Sequence, residues 1–390
     1  MKITDVRTTV WEWIGPVAAL PHNFCTNASD LVAREVGAIG AFRFLGWLVV
    51  EIETDAGIIG IGNAALSPFV TKAVIDNHLR PLLVGESAFD IEYLWERMYR
   101  VTHPFGRKGS GMAAISAVDL ALWDAVGKAL CQPVFRLLGG RTKERIPVYA
   151  SRLYAQPLDD FAQEAEAYLA QGFRALKFRF GWGPKDGPDG IARNVALART
   201  LREVAGEGIE IMGDAFMGWT LDYARRMVRA LEPYNLRWLE EPVLADSVEA
   251  YAELRAMGII PIAGGEHEFT LRGVRTLVER GGVDVLQIDI NRVGGLTAAT
   301  KAQALAEAFD VQLIPHAGQM HNYHLVMARV AAPMAEYFPK VPVEVGNELF
   351  WYVFEGEPEA IDGHVQLSDD QPGLGLSLRK PDTSCFRLHQ

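Results

Sequence analysis

Three acids, Asp214, Glu240 and Glu266, stand 26 residues apart at each step, and each closes or follows a short apolar run. Three carboxylates brought together repel unless something neutralises them. A hard divalent cation with oxygen ligands, Mg²⁺ above all, is the simplest agent. The competing reading is a set of ion pairs with Lys177, Arg179 or Arg237. Glu241 and Glu268 are near-neighbour rivals for ligand positions. Strand alternation points Glu241 away from Glu240, and Glu268 keeps the parity of Glu266, so the third ligand stays open between Glu266 and Glu268. His316 follows Leu313-Ile314-Pro315, and Asp289 closes the apolar run before it. An Asp–His pair fixes the tautomer and raises the basicity of the imidazole, which suits a general base. His267 stands beside Glu266 and is placed to reach a substrate or merely to pack. His321 and His324 read as packing or rim residues.

These side chains need elements that gather them. From Ile146 onward, apolar runs alternate with helical stretches. The runs are Ile146–Ala150, Ala175–Phe180, Glu210–Asp214, Arg237–Glu241, Ile260–Ala263, Val285–Asp289, Val311–Pro315 and Val341–Val345. Strands that alternate with helices pair in parallel through right-handed crossovers, and eight of them close into a (β/α) barrel. Chemistry in such barrels sits at the C-terminal strand ends. That rim would carry Lys177 and Arg179 after the first acid-free strand, then the three acids, Asp289 and His316, with Glu336 shortly before the eighth run. Ahead of the barrel lies an α+β segment. It has strands at Trp47–Ile52 and Ile58–Ile61, a helix opening at Pro68 and a clear helix over Met112–Leu130. An open doubly wound sheet is the rival architecture. Its phosphate-binding glycines are missing, since Gly57, Gly60 and Gly62 fall in a hairpin and not at a strand-to-helix turn.

Bulk properties narrow the classes. The 390 residues carry a net charge of −11, which disfavours nucleic-acid and anionic-membrane partners. No run of 18 apolar residues predicts a membrane span, and the stretch Met1-Lys2-Ile3-Thr4-Asp5 lacks the apolar centre of a signal peptide. Three scattered cysteines, Cys25, Cys131 and Cys385, suit a reducing cytoplasm better than a disulfide framework.

The set Asp214, Glu240 within Trp238-Leu239-Glu240-Glu241-Pro242, Glu266 within Gly264-Gly265-Glu266, Asp289, His316 and Glu336 resembles the enolase superfamily, mandelate racemase subgroup. Within it, the chain is most similar to the L-rhamnonate dehydratases. Stretches that carry this are Gly60-Ile61-Gly62-Asn63-Ala64-Ala65-Leu66, Gly106-Arg107-Lys108-Gly109, Arg179-Phe180-Gly181-Trp182-Gly183-Pro184-Lys185, Gly265-Glu266-His267-Glu268-Phe269-Thr270, Ile314-Pro315-His316-Ala317-Gly318-Gln319-Met320-His321-Asn322-Tyr323-His324 and Val345-Gly346-Asn347-Glu348-Leu349-Phe350.

The resemblance implies an α/β fold. A (β/α)7β-type modified TIM barrel over residues 141–365 follows an N-terminal α+β capping domain over 1–140. A C-terminal segment, 366–390, packs back on the cap and completes it. It implies one Mg²⁺ per chain and a small acid-sugar substrate held by His22 and Arg43 of the cap, with Lys177 and Arg179 supplying positive charge. It also implies a homo-oligomer, with octamers among the family's assemblies. His316 would remove the C2 proton, the metal would stabilise the enediolate, and a protonated Glu336 would donate to a carboxylate oxygen. Syn loss of the 3-hydroxyl would then give a 2-keto-3-deoxy acid. Racemases of the subgroup carry Lys-x-Lys on the second strand; this chain has Lys177-Phe178-Arg179. Arginine stays protonated and is a poor base, which leaves His316 alone. Related acids (L-lyxonate, L-mannonate), an epimerase, a metal-dependent hydrolase and a non-catalytic sugar-acid binder remain alternatives.

Overall fold

The computed structural model describes residues 1–20, 23–32 and 43–390. His22 lies outside them. The cap opens with β1 (Ile3–Trp13), β2 (Gly46–Thr54) and β3 (Ile59–Ala64), paired antiparallel in that order. β1 was not among the expected strands. Its sequence, Ile-Thr-Asp-Val-Arg-Thr-Thr-Val-Trp-Glu-Trp, mixes charged and β-branched residues, and the buried positions Val6, Thr8 and Val10 recur every second residue.

The helix Ser110–Ala129 is buried along almost its whole length, because β3 covers one side and the barrel the other. β3 approaches it so closely that a Cβ on Gly62 would stand 1.9 Å from the Ala117 carbonyl oxygen. Gly60 and Gly62 therefore serve close packing of β3 on this helix.

The barrel strands are β4 (Ile146–Ser151), β5 (Ala175–Arg179), β6 (Glu210–Asp214), β7 (Leu239–Glu240), β8 (Ile262–Gly264), β9 (Val285–Leu286), β10 (Gln312–Leu313) and β11 (Ala335–Tyr337). They run parallel in the order β10-β9-β8-β7-β6-β5-β4-β11, so the last strand lies beside the first, as a curled barrel sheet requires. Helices Leu158–Ala170, Gly187–Ala205, Leu221–Leu231, Val248–Ala256, Thr270–Glu279 and Gly295–Ala308 alternate with the strands. Leu221–Leu231 shows the reason: it buries Tyr223, Ala224, Met227, Val228 and Leu231, one apolar stripe at helical spacing.

The eighth strand is a correction. Val341–Val345 is not a strand; β11 is Ala335–Tyr337, and Glu336 sits within it, paired in register with Tyr149. The later run turns back toward the cap, where the Val345 carbonyl accepts from the Phe44 amide at 2.6 Å. Beyond β11 come the short strands β12 (Phe354–Glu355), β13 (His364–Val365), β14 (Ser377–Leu378) and β15 (Phe386–His389). β15 pairs antiparallel with β1, Val10 opposite His389 and Trp13 opposite Phe386.

Cap and barrel are clasped at the sixth barrel unit. Trp95 Nε1 donates to the Gly294 carbonyl at 2.7 Å, and the Thr297 amide donates to Asp119 at 3.0 Å. Asn291 Nδ2 donates to the Asn63 carbonyl at 2.6 Å. Among the described residues no helix is long and apolar enough to cross a membrane.

Candidate active site

Strand register decides which acids meet. Arg179 pairs with Asp214 across β5 and β6, and Asp214 with Glu240 across β6 and β7. Neighbours in a parallel ladder share a face, so these side chains converge at the C-terminal rim. Asp214, Glu240, Glu241, Glu266, Asp289 and Glu336 are each at most 3% exposed.

Their charges are met first by protein cations. Lys177 Nζ lies 2.6 Å from Glu240, 2.8 Å from Glu336 and 3.6 Å from Asp214. Arg179 Nη1 donates to Asp214 at 2.5 Å. The ion-pair reading thus holds for Lys177 and Arg179, whereas Arg237 turns to Glu210 instead. Glu240 also accepts from Trp238 Nε1 at 3.0 Å and from Gln287 Nε2 at 2.9 Å. Even so, burial pushes its pKa up to about 7 against the pull of Lys177, and Asp214, Glu336 and Glu266 add to the rise.

His316 stands between two carboxylates. Its Nδ1 is 2.9 Å from Asp289 Oδ2 and its Nε2 is 3.2 Å from Glu266 Oε2. Burial works to lower its pKa, but Glu266 and Asp289 outweigh that and raise it to about 9. Asp289 also accepts from the Asn291 amide at 2.7 Å, which caps the short helix Ile290–Val293 and fixes the carboxylate.

Arg292, which sequence reasoning missed, ties the two acids together. Its Nη1 lies 3.0 Å from Glu266 and its Nε 2.9 Å from Asp289. The signal was available: three residues past Asp289 is one helical turn on.

One expectation needs correction. Glu241 does not point away. It follows β7 with φ of +38°, which breaks the strand alternation and turns its carboxylate to within 2.8 Å of His267 Nδ1. Ligand-type atoms of Glu241, Glu266 and His267 all lie within 4.8 Å of one another, the tightest such group among the described residues. Lys177 and His316 outweigh burial and hold the Glu336 pKa below the ordinary value, and Glu336 Oε2 accepts from the Ala317 amide at 2.8 Å.

Glu268 is placed apart from this group. It is 3.4 Å from Lys108 in a separate groove of about 750 Å³ between cap and barrel. Arg43, the half-buried cap residue expected to hold substrate, donates to the Ala18 carbonyl at 3.3 Å and makes no ion pair among the described residues. His321 and His324 are fully buried packing residues.

The donor set fits a hard divalent cation. Six buried carboxylates face three permanent cations, Lys177, Arg179 and Arg292, and the acids offer oxygen only. Of the expected ligands Asp214, Glu240 and Glu266, only Glu266 lies in the group with Glu241 and His267, while Arg179 and Lys177 engage the other two; the His267 nitrogen, bonded to Glu241, suits such an ion poorly.

Comparison with known proteins gives the family. Residues 160–383 match the enolase C-terminal domain-like family, and residues 36–139 match the mandelate racemase / muconate lactonizing enzyme N-terminal domain. The chain belongs to the enolase superfamily, mandelate racemase subgroup.

An L-rhamnonate dehydratase of Saccharopolyspora erythraea is 36% identical over 339 residues, 86% of this chain and 83% of that protein. The crystal structure of L-rhamnonate dehydratase from Gibberella zeae superposes with a TM-score of 0.85 at 31% identity, covering 97% of this chain and 94% of that one. A racemase from Streptomyces coelicolor A3(2) with bound magnesium gives 0.82 at 30% identity, over 96% and 97%. This enolase-superfamily chain is an enzyme, of the hydro-lyase kind that the dehydratases represent.

Proposed function

We propose that the enzyme dehydrates L-rhamnonate to 2-keto-3-deoxy-L-rhamnonate and water. One observation carries the reading. His316 is a single buried imidazole oriented by Asp289, and the position where a second base would stand is Arg179, engaged with Asp214. His316 in its neutral form takes the proton from C2. The same imidazole, now protonated, returns it to the departing 3-hydroxyl, so both groups leave from one face. Water departs, and the enol left behind tautomerises to the 2-keto acid. Asp289 keeps the Nδ1–H of His316 directed at itself and leaves Nε2, which faces Glu266 at 3.2 Å, as the nitrogen that exchanges the proton. Lys177 and Glu336 line the acidic pocket. When bound, one Mg²⁺ per chain would draw off the negative charge that builds on the substrate carboxylate.

Magnesium-bound structures of a Gibberella zeae rhamnonate dehydratase and of the Streptomyces racemase support that ion. His22 and Arg43 are proposed as cap contacts for the sugar. The resemblance to the subgroup supports a homo-oligomer, with the octamer among its forms. Three free cysteines support a cytoplasmic enzyme. An epimerase would need a second base opposite His316, and a guanidinium does not supply one.

The test is a semicarbazide assay for 2-keto acids across a panel of acid sugars with Mg²⁺. Colour with L-rhamnonate that EDTA removes is the expected result. Colour with L-lyxonate or L-mannonate alone would move the substrate and keep the mechanism. Proton exchange at C2 in D₂O without colour would replace the dehydratase by an epimerase. His316→Asn should end turnover while Mg²⁺ still binds.

A further inference from the structure

Trp47, on β2 of the cap, and His316, on the barrel rim, line one small cavity of about 30 Å³. Roughly 10–15 Å³ takes one water-sized group, so the space suits about two. Its walls are mixed: Leu66 and Phe338 are apolar, while Gln319 and Asn347 are polar.

Trp47 is 2% exposed, yet its indole Nε1 has no acceptor among the described residues. Other buried indoles do better. Trp95 donates to the Gly294 carbonyl at 2.7 Å, Trp219 to the Trp182 carbonyl at 3.0 Å and Trp351 to the Phe338 carbonyl at 3.1 Å. A buried donor with no acceptor is unfavourable, and a cavity shared with the proposed base is where a ligand oxygen would relieve it.

The cavity wall includes Asp289, Arg292 and His316 but none of Asp214, Glu240 or Glu336. Those three acids meet at Lys177, so the cavity adjoins His316 but not the acids gathered there, while Glu266 reaches its Arg292 and His316 walls at 3.0 and 3.2 Å. A substrate held by its carboxylate near those acids and by C2 at His316 would bring its next hydroxyls here. We propose that the Trp47 indole N–H donates a hydrogen bond to a hydroxyl of the acid sugar beyond C2, and so helps set which acid is accepted. This rests on the dehydratase reading above.

Trp47→Phe removes the donor and keeps an aromatic ring against Phe350, whose ring centre lies 6.3 Å away. A contact made equally before and during the reaction changes KM and not kcat. The expected result with L-rhamnonate is a KM raised about five- to tenfold, with kcat, the melting temperature and Mg²⁺ binding near wild type. Kinetics equal to wild type would overturn the proposal. A second measurement does not depend on turnover. In ¹⁵N-tryptophan-labelled His316→Asn protein, the indole signal that Trp47→Phe deletes should shift when L-rhamnonate and Mg²⁺ are added; a signal that stays put counts against the contact. A wild-type chain inert toward every acid sugar refutes the dehydratase reading and this inference with it. An active wild type with an unaltered Trp47→Phe variant refutes this inference alone.

Discussion

Asp289 and His316 are joined twice: a parallel backbone bridge links the two residues, and His316 Nδ1 lies 2.9 Å from Asp289 Oδ2. The strands therefore set the distance and the carboxylate sets the tautomer. A carboxylate only accepts, so Nδ1 must carry the proton.

Asp289→Asn tests this. An amide can donate to Nδ1 and favour the wrong tautomer. We expect kcat to fall on the order of 10²-fold or more, together with a lower melting temperature from the charge lost opposite Arg292. Steady-state kinetics beside a thermal melt decide it. A variant with wild-type kcat would leave Asp289 with a purely architectural role.

Lys177→Met should weaken the fold. Lys177 is fully buried and is the shared partner of Glu240, Glu336 and Asp214. Its loss leaves buried acids facing one another, a change of about 3–5 kcal/mol in such settings. Urea unfolding in EDTA measures the loss, and added Mg²⁺ should recover part of it. Equal stability in EDTA would mean that the acids take up protons at no penalty.

Gly62→Ala should separate the cap sheet from its helix. The new Cβ meets the Ala117 carbonyl and the Ala121 amide, neither of which can rotate away. Overpacking of this kind costs about 1–3 kcal/mol or more. A lowered melting temperature is expected, whereas Gly57→Ala, with open space around it, should act only through its φ of +73°. Equal melting of wild type and Gly62→Ala would show that β3 can lift from the helix.

Acid should destabilise the chain through His324. Its Nδ1 accepts from the Phe135 amide at 3.0 Å, and its Nε2 lies 3.2 Å from the Leu374 carbonyl. Burial lowers its pKa from 6.5 to about 4. The unfolded chain then takes the proton first. Stability is full above about pH 6.5 and is lost as pH falls toward 4, by roughly 3 kcal/mol for this group. Urea midpoints across that window should drop less steeply in His324→Gln. Parallel curves would assign the acid loss to other groups, His321 first among them, since its pKa is also lowered to about 4 by burial.

Much of this was legible because the barrel writes itself as a period. One β/α unit separates Asp214 from Glu240 and Glu240 from Glu266, and the alternation of apolar runs and helices fixed the fold class. Legibility failed where tertiary context overrides local pattern. Val341–Val345 looks like a strand because it is β-branched, yet three residues, Ala335–Tyr337, take that place with Glu336 at their centre. Alternation misdirected Glu241 because one left-handed φ reverses it. Trp47 reads as core in any β-rich run; an unpaired indole N–H has no sequence signature.

The pairing of β15 with β1 has a consequence for biosynthesis. Trp11 and Trp13 find Phe386 at ring distances of 5.3 and 5.0 Å, across a ladder that spans nearly all of the intervening chain. During translation the cap remains one strand short until the barrel has left the ribosome, and its indoles wait uncovered on an open sheet edge. Chaperone dependence should therefore track the emergence of Phe386–His389, and a nick anywhere ahead of that strand would leave the cap closed by non-covalent contacts alone.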